Sequence, residues 1–144
     1  MTQTALSALS VGVGGELPHV ALMLPIRTRN PLNASRIGNS RLAAIISTQE
    51  RAKQRRTTYV LTLAAIHSAG FTRAGLVPAV VHLTRIGAGT LDGDGLQASF
   101  KAVRDGVSDA LGVDDGGPWV MWRYEQEKGP RGTYAVRVRI ELAP

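Results

Sequence analysis

Six aspartates crowd the stretch between positions 92 and 115, and carboxylate oxygens are the ligands that hard divalent cations prefer. The chain has no cysteine, and its three histidines are scattered without metal-type spacing, which excludes thiol chemistry and cysteine-based zinc sites. A donor set of carboxylates alone favours Mg²⁺ or Mn²⁺, and with it chemistry at phosphate. The six residues are Asp92, Asp94, Asp105, Asp109, Asp114 and Asp115.

Charge divides the chain into a basic and an acidic part. Overall, 17 Lys and Arg against 11 Asp and Glu give a net charge of +6. Positions 1–91 hold ten basic and two acidic side chains (+8), whereas positions 92–144 hold seven and nine (−2). A basic part suits a polyanion, because neutralised phosphates release counterions, and a divalent cation would screen the acidic cluster beside it. The alternative is that these charges are simply solvated surface.

Length and composition describe one soluble globular domain. The 144 residues are 44% hydrophobic, enough to build a core, which excludes disordered and low-complexity classes. The longest apolar runs are about seven residues, far short of the ~20 that a membrane span needs. Positions 1–16 hold no Lys or Arg, unlike a secretory signal, so we expect a cytoplasmic protein. We predict a flexible arm over 1–16 and one domain over 17–144.

The alternation of side chains predicts an α/β protein of the α+β kind, with two main helices packed on a mixed sheet of about four strands. The two closing strands are joined by positions 127–132, as in a hairpin. An Arg- and Asn-rich loop is expected over Arg27–Ser40. The predicted strands are Leu17–Ile26, Pro78–Ile86, Trp119–Gln126 and Thr133–Leu142, and the predicted helices are Ser40–Ser68 and Gly95–Leu111.

The second predicted helix separates an apolar stripe from a polar one. At about 100° per residue, Asp94, Lys101 and Asp105 lie on nearly the opposite side from the apolar residues. Asp94 stands at the helix start, where an aspartate suits a cap. Asp114 and Asp115 follow the helix, so another element must fold back before they can meet Asp94. The apolar stripe consists of Leu96, Phe100, Val103, Val107, Ala110 and Leu111.

These residues resemble the signature of the RusA-type Holliday junction resolvases, small endonucleases common in phages and prophages. That signature is Asp-x-Asp-Asn-Leu, then a Lys and an Asp four residues apart on the next helix, then an Asp-Asp pair. The similarity extends from about residue 20 to Gln126 and includes the Arg- and Asn-rich loop. The matching residues here are Asp92-Gly93-Asp94-Gly95-Leu96, Lys101 with Asp105, and Asp114-Asp115.

The resemblance implies a role for each matching residue. Asp92, Asp94 and Asp115 would be the catalytic metal ligands, with Asp115 preferred over Asp114. Lys101 would position the scissile phosphate or its attacking water, and Asp105 would support Lys101 through an ion pair. The family implies a homodimer that needs Mg²⁺, for which Mn²⁺ can substitute. It nicks two strands of a four-way junction symmetrically, in DNA recombination and repair.

Two departures from the signature keep other functions open. Gly95 stands where the family has Asn, and Lys101 follows Asp94 by seven residues, about three more than in the shortest members, or slightly less than a helical turn. One alternative is therefore a relative that binds junctions without cutting them. Another is a general RNA- or DNA-binding module whose carboxylates are only caps and turns.

Basic side chains of the first half are the candidates for phosphate contacts. Trp119, Trp122 and Tyr124 could stack on opened bases, but packing in the core is the preferred interpretation. The candidate DNA-binding residues are Arg27, Arg29, Asn33, Arg36, Arg51, Lys53, Arg55 and Arg56.

Overall fold

One mixed four-stranded sheet and three helices form the structure, a computed structural model that describes residues 18–29 and 40–144. This confirms the predicted α+β class; the predicted arm over 1–16 and most of the loop after Arg29 lie outside the described residues. Among the described helices, none has the length and apolar character to cross a membrane. The elements are β1 (His19–Leu24), α1 (Ser40–Ser68), β2 (Ala79–Gly87), α2 (Gly93–Ser99), α3 (Lys101–Leu111), β3 (Val120–Lys128) and β4 (Ala135–Leu142).

The strand order is β1-β4-β2-β3, with β4 antiparallel to both neighbours and β2 parallel to β3. The predicted hairpin of the two last strands is therefore wrong, because β2 lies between them. Parallel pairing of β2 and β3 is possible because α2 and α3 supply the long crossover that it requires. β3 suits the edge of the sheet because Arg123, Glu125 and Glu127 on its outward face are charged and exposed, beside the exposed Met121.

The core lies between one face of the sheet and the helices. The alternating residues Val136, Val138 and Ile140 of β4 are fully buried, and the predicted apolar stripe of the second helical segment is buried as well. β1 ends at Leu24, before Pro25, which cannot donate to a strand ladder.

The predicted helix over 95–111 is two helices. α2 and α3 meet at Phe100, whose φ of −91° and ψ of 0° lie outside helical geometry. Phe100 is fully buried and stacks on Tyr124 of β3, with ring centroids 5.8 Å apart. Packing of this large side chain therefore sets the break. α2 also begins at Gly93, two residues before the predicted start at Gly95, because Asp92 and not Asp94 is the N-cap.

α1 confirms the predicted helix over 40–68 and carries its basic half across α3. Ser40 is its first helical residue, and the preceding cap position lies outside the described residues. Residues 41–56 are largely exposed, whereas Thr58, Thr62 and Ile66 are buried on the side that packs. Gly106 of α3 allows the close approach, since a Cβ there would lie 2.6 Å from the carbonyl oxygen of Arg55.

We therefore expect Gly106→Ala to lower the free energy of unfolding by about 1–3 kcal/mol, the usual cost of overpacking. The added methyl group would press on the α1 backbone and on Thr58, which outweighs the better helix propensity of alanine. Urea unfolding measures the change. The matched control is Gly93→Ala, a helical glycine whose Cβ would meet nothing within 4 Å. Equal stability of the two variants would contradict the close packing of α1 on α3.

Candidate functional site

Asp92 and Asp94 lie at the turn that enters α2. The Gly95 amide donates to Asp92 Oδ1 at 2.6 Å, so this carboxylate closes the first helical turn, and Asp94 is exposed one residue inside it. The turn is tied to β3 through Gln126. Its Oε1 accepts from the Leu91 amide at 3.0 Å, and its Nε2 donates to the Leu91 carbonyl at 2.8 Å. The side chain of Gln126 thus fixes the main chain next to Asp92.

Asp115 is held at the same strand by its main chain and by two cations. Its carbonyl oxygen accepts from Trp122 Nε1 at 2.9 Å. Its carboxylate lies 3.1 Å from Arg104 Nη2 and 3.5 Å from Lys101 Nζ. The loop after α3 therefore folds back onto the polar side of that helix and brings Asp115 to Lys101 and Arg104.

Lys101 and Asp105 form the predicted ion pair one helical turn apart, with Nζ 2.9 Å from Oδ1. The hydrogen bond to Asp105 is the main reason why the pKa of Lys101 is raised above 10.5. The acidic side of α3 is also neutralised from α1. Arg55 donates to both carboxylate oxygens of Asp109, at 2.8 and 3.0 Å, and lies 3.9 Å from Asp105.

The pKa of Asp115 reflects two opposing effects. Burial raises it, but attraction to Lys101 and Arg104, together with a hydrogen bond from Lys101, outweighs burial and holds the pKa below 3.8. Asp115 is therefore a carboxylate at neutral pH, and its charge is already compensated by basic side chains.

Four residues of this site were not among the predicted site residues. Arg104 donates to the Tyr124 hydroxyl at 2.7 Å, and its guanidinium lies 5.0 Å from the ring centre of Trp122. With Gln126, the two aromatic residues occupy alternate positions on the inner face of β3. That alternation was visible in the sequence, but the partners of these side chains come from distant segments. Packing of Trp122 and Tyr124 is confirmed, whereas Trp119 is 52% exposed.

The carboxylates suit Mg²⁺ in their chemistry, but their placement does not form a metal cage. Within residues 18–29 and 40–144, no group of three or more His, Cys, Asp or Glu is placed to hold a metal ion. The anchors of the two acidic segments, Gln126 and Trp122, are four residues apart on β3, about 13 Å at the usual rise. Asp115 is moreover paired with Lys101 and Arg104. Asp92, Asp94 and Asp115 thus offer oxygens suited to Mg²⁺, but the three side chains are not placed around a common metal position.

A groove of about 320 Å³ runs between α1 and α3, and three cations and one carboxylate line it. On α1, Lys53 and Arg56 are exposed and do not line the groove. Arg29 is also exposed, and Arg27 lies 4.0 Å above the ring of Tyr134. The remaining two predicted DNA-binding residues, Asn33 and Arg36, fall outside the described residues. The charged groove residues are Arg51, Arg55, Lys101 and Asp105.

No family model, curated protein sequence or solved structure matches this chain. The resemblance to the RusA-type resolvases therefore rests on the residues quoted above.

We expect the ion pairs of Asp115 to contribute stability only while its carboxylate is charged. Because the folded-state pKa lies below 3.8, that contribution is complete above the unfolded value and disappears as the pH falls through the folded one. The difference in unfolding free energy between the parent and Asp115→Asn should be constant from pH 7 to pH 5 and shrink below pH 4. Urea unfolding across this range measures it.

The control is Glu125→Gln, an exposed acid on the outward face of β3 that makes no ion pair among the described residues. A difference for Asp115→Asn that stays constant down to pH 2 would show that Lys101 and Arg104 do not stabilise the charged carboxylate.

Proposed function

We propose that this chain is a Mg²⁺-dependent, structure-selective DNA endonuclease of the RusA type, which nicks four-way junctions symmetrically during recombination and repair. Its place of action would be the cytoplasm of a bacterium or of a phage-infected cell. The observation that carries the proposal is the meeting of Lys101, Asp105 and Asp115 beside the basic half of α1. A basic surface and the carboxylates of Asp105 and Asp115 thus lie next to each other.

The basic surface supports binding to a DNA backbone. Arg51, Arg55 and Lys101 face one groove, and Lys53 and Arg56 add positive charge along the same helix. Arg51 and Arg55 lie one helical turn apart, about 6 Å along the helix axis, whereas Lys53 lies about 160° around the axis from both of them. The groove itself therefore offers Arg51, Arg55 and Lys101 to phosphate groups. Such contacts fix the position of the protein on DNA and carry no sequence information.

Lys101 is placed to hold a phosphate at the acidic end of this groove. Asp105 keeps its amine protonated and directed along the helix face, while 58% of the side chain remains exposed. Asp92, Asp94 and Asp115 would be the metal ligands. When bound, Mg²⁺ supplies an activated water and stabilises charge on the phosphoryl oxygens. A homodimer with two-fold symmetry would present two such sites to the two strands of a junction.

The second candidate is a relative that binds junctions but does not cut them. It is favoured by the pairing of Asp115 with Lys101 and Arg104 and by the open arrangement of the carboxylates in the described residues. Gly95, in place of the family's Asn, and the displaced Lys101 point the same way. A general RNA- or DNA-binding module would instead bind linear duplex and junction equally well.

A nicking assay on a labelled four-way junction, with and without Mg²⁺, separates these functions. We expect the parent protein to give paired symmetric nicks only with Mg²⁺. Asp94→Asn should slow cutting at least 100-fold, because a neutral amide replaces a charged ligand, while junction binding at fixed salt stays within about threefold. Glu125→Gln is the control and should cut like the parent, because it lies on the opposite face of β3.

Cutting by Asp94→Asn at the parent rate would contradict the assignment of the metal ligands. Tight, salt-sensitive junction binding by the parent without any Mg²⁺-dependent product would establish the non-cutting relative instead. Equal affinity for junction and linear duplex would exclude both in favour of the general module.

A further inference from the structure

Arg85 is a cation buried in the core face of the sheet. It lies near the end of β2, in line with Val81 and Leu83, and only 8% of its surface is exposed. Its Nη1 donates to the Gly89 carbonyl at 2.8 Å, whereas its Nε is buried without a hydrogen-bond partner. A single carbonyl oxygen therefore satisfies only part of a guanidinium that has five donors.

No carboxylate of the described residues pairs with Arg85. The ion pairs over 18–29 and 40–144 use other basic side chains. Outside those ranges the sequence has one acidic residue, Glu16. Burying a charge without a counter-charge is costly, and proteins retain such groups where something else pairs them. A bound anion would supply the negative charge that no described carboxylate provides.

The position of Arg85 places it beside the acidic turn. Its register partner on β3 is Gln126, the residue that holds Leu91 next to Asp92. The segment between β2 and this turn, positions 87–90, reads Gly-Ala-Gly-Thr and carries no side chain larger than threonine. A Cβ at Gly87 would lie 3.2 Å from both terminal nitrogens of Arg85, so glycine leaves this edge of the guanidinium uncrowded.

We propose that Arg85 is an anion-binding residue whose ligand is a phosphate group that approaches over the 87–90 segment. A planar guanidinium forms paired hydrogen bonds with phosphate oxygens, a geometry that an ammonium group lacks. The identification of that phosphate as part of a DNA backbone rests on the proposed function. On DNA, Arg85 holds a phosphodiester beside the turn that carries Asp92 and Asp94.

The first measurement uses inorganic phosphate and the ¹⁵N-labelled full chain without DNA. The buried Nε–H of Arg85, assigned by its loss in Arg85→Lys, should shift saturably as phosphate replaces chloride at constant ionic strength. The second measurement is affinity for a four-way junction without divalent metal. Arg85→Met should bind at least tenfold more weakly, whereas Arg123→Met, which changes an exposed arginine on the outward face of β3, should stay within twofold.

If the parent binds the junction, an affinity of Arg85→Met within twofold of the parent overturns the proposal. If Arg85→Met does not fold, Arg85→Lys decides: a loss of at least threefold supports the paired geometry, and a smaller one overturns it. If the parent binds no junction, the proposed function fails. The phosphate titration then decides alone, since an unshifted Nε–H overturns the anion site and a saturable shift supports it.

Discussion

Hydrogen bonds from the inner face of β3 determine where both acidic segments lie. Trp122 holds the main chain of Asp115, and Gln126 holds the main chain of Leu91 before Asp92. Between them, Tyr124 accepts from Arg104 and stacks on Phe100. The edge strand β3 therefore anchors both ends of the crossover formed by α2 and α3. One end is Leu91, before α2, and the other is Asp115, after α3.

The same anchors hold the two acidic segments at different points along β3. Attachment points four residues apart on a strand are separated by about 13 Å, and no group of three metal-ligating side chains is assembled among the described residues. Asp115 is neutralised by Lys101 and Arg104, and Asp109 by Arg55. Each ion pair is partly exposed, so it is weakened by salt and can be exchanged for a bound cation or a phosphate.

Local patterns in the sequence predicted the elements, and the long-range contacts decided the rest. Alternation predicted the last two strands and a β-branched run predicted β2, because such patterns depend on neighbours in sequence. The helical periodicity placed Lys101 and Asp105 on one side, and the family resemblance implied their ion pair. The insertion of β2 between β3 and β4, and the break at Phe100, depend on packing between distant segments. Arg85 is the clearest case that the sequence could not predict, because an arginine in a strand is normally expected at the surface, whereas this one is buried.

The central claim is that Asp92, Asp94 and Asp115 hold one divalent cation. Titration of the ¹⁵N-labelled protein with Mn²⁺, a paramagnetic ion that broadens nearby amide signals, tests it most directly, with excess Mg²⁺ as the competitor. We predict that signals of residues 92–95 and of Asp115 broaden together at one Mn²⁺ concentration, and that Mg²⁺ restores both. Broadening of one segment without the other, or of neither, would contradict the claim.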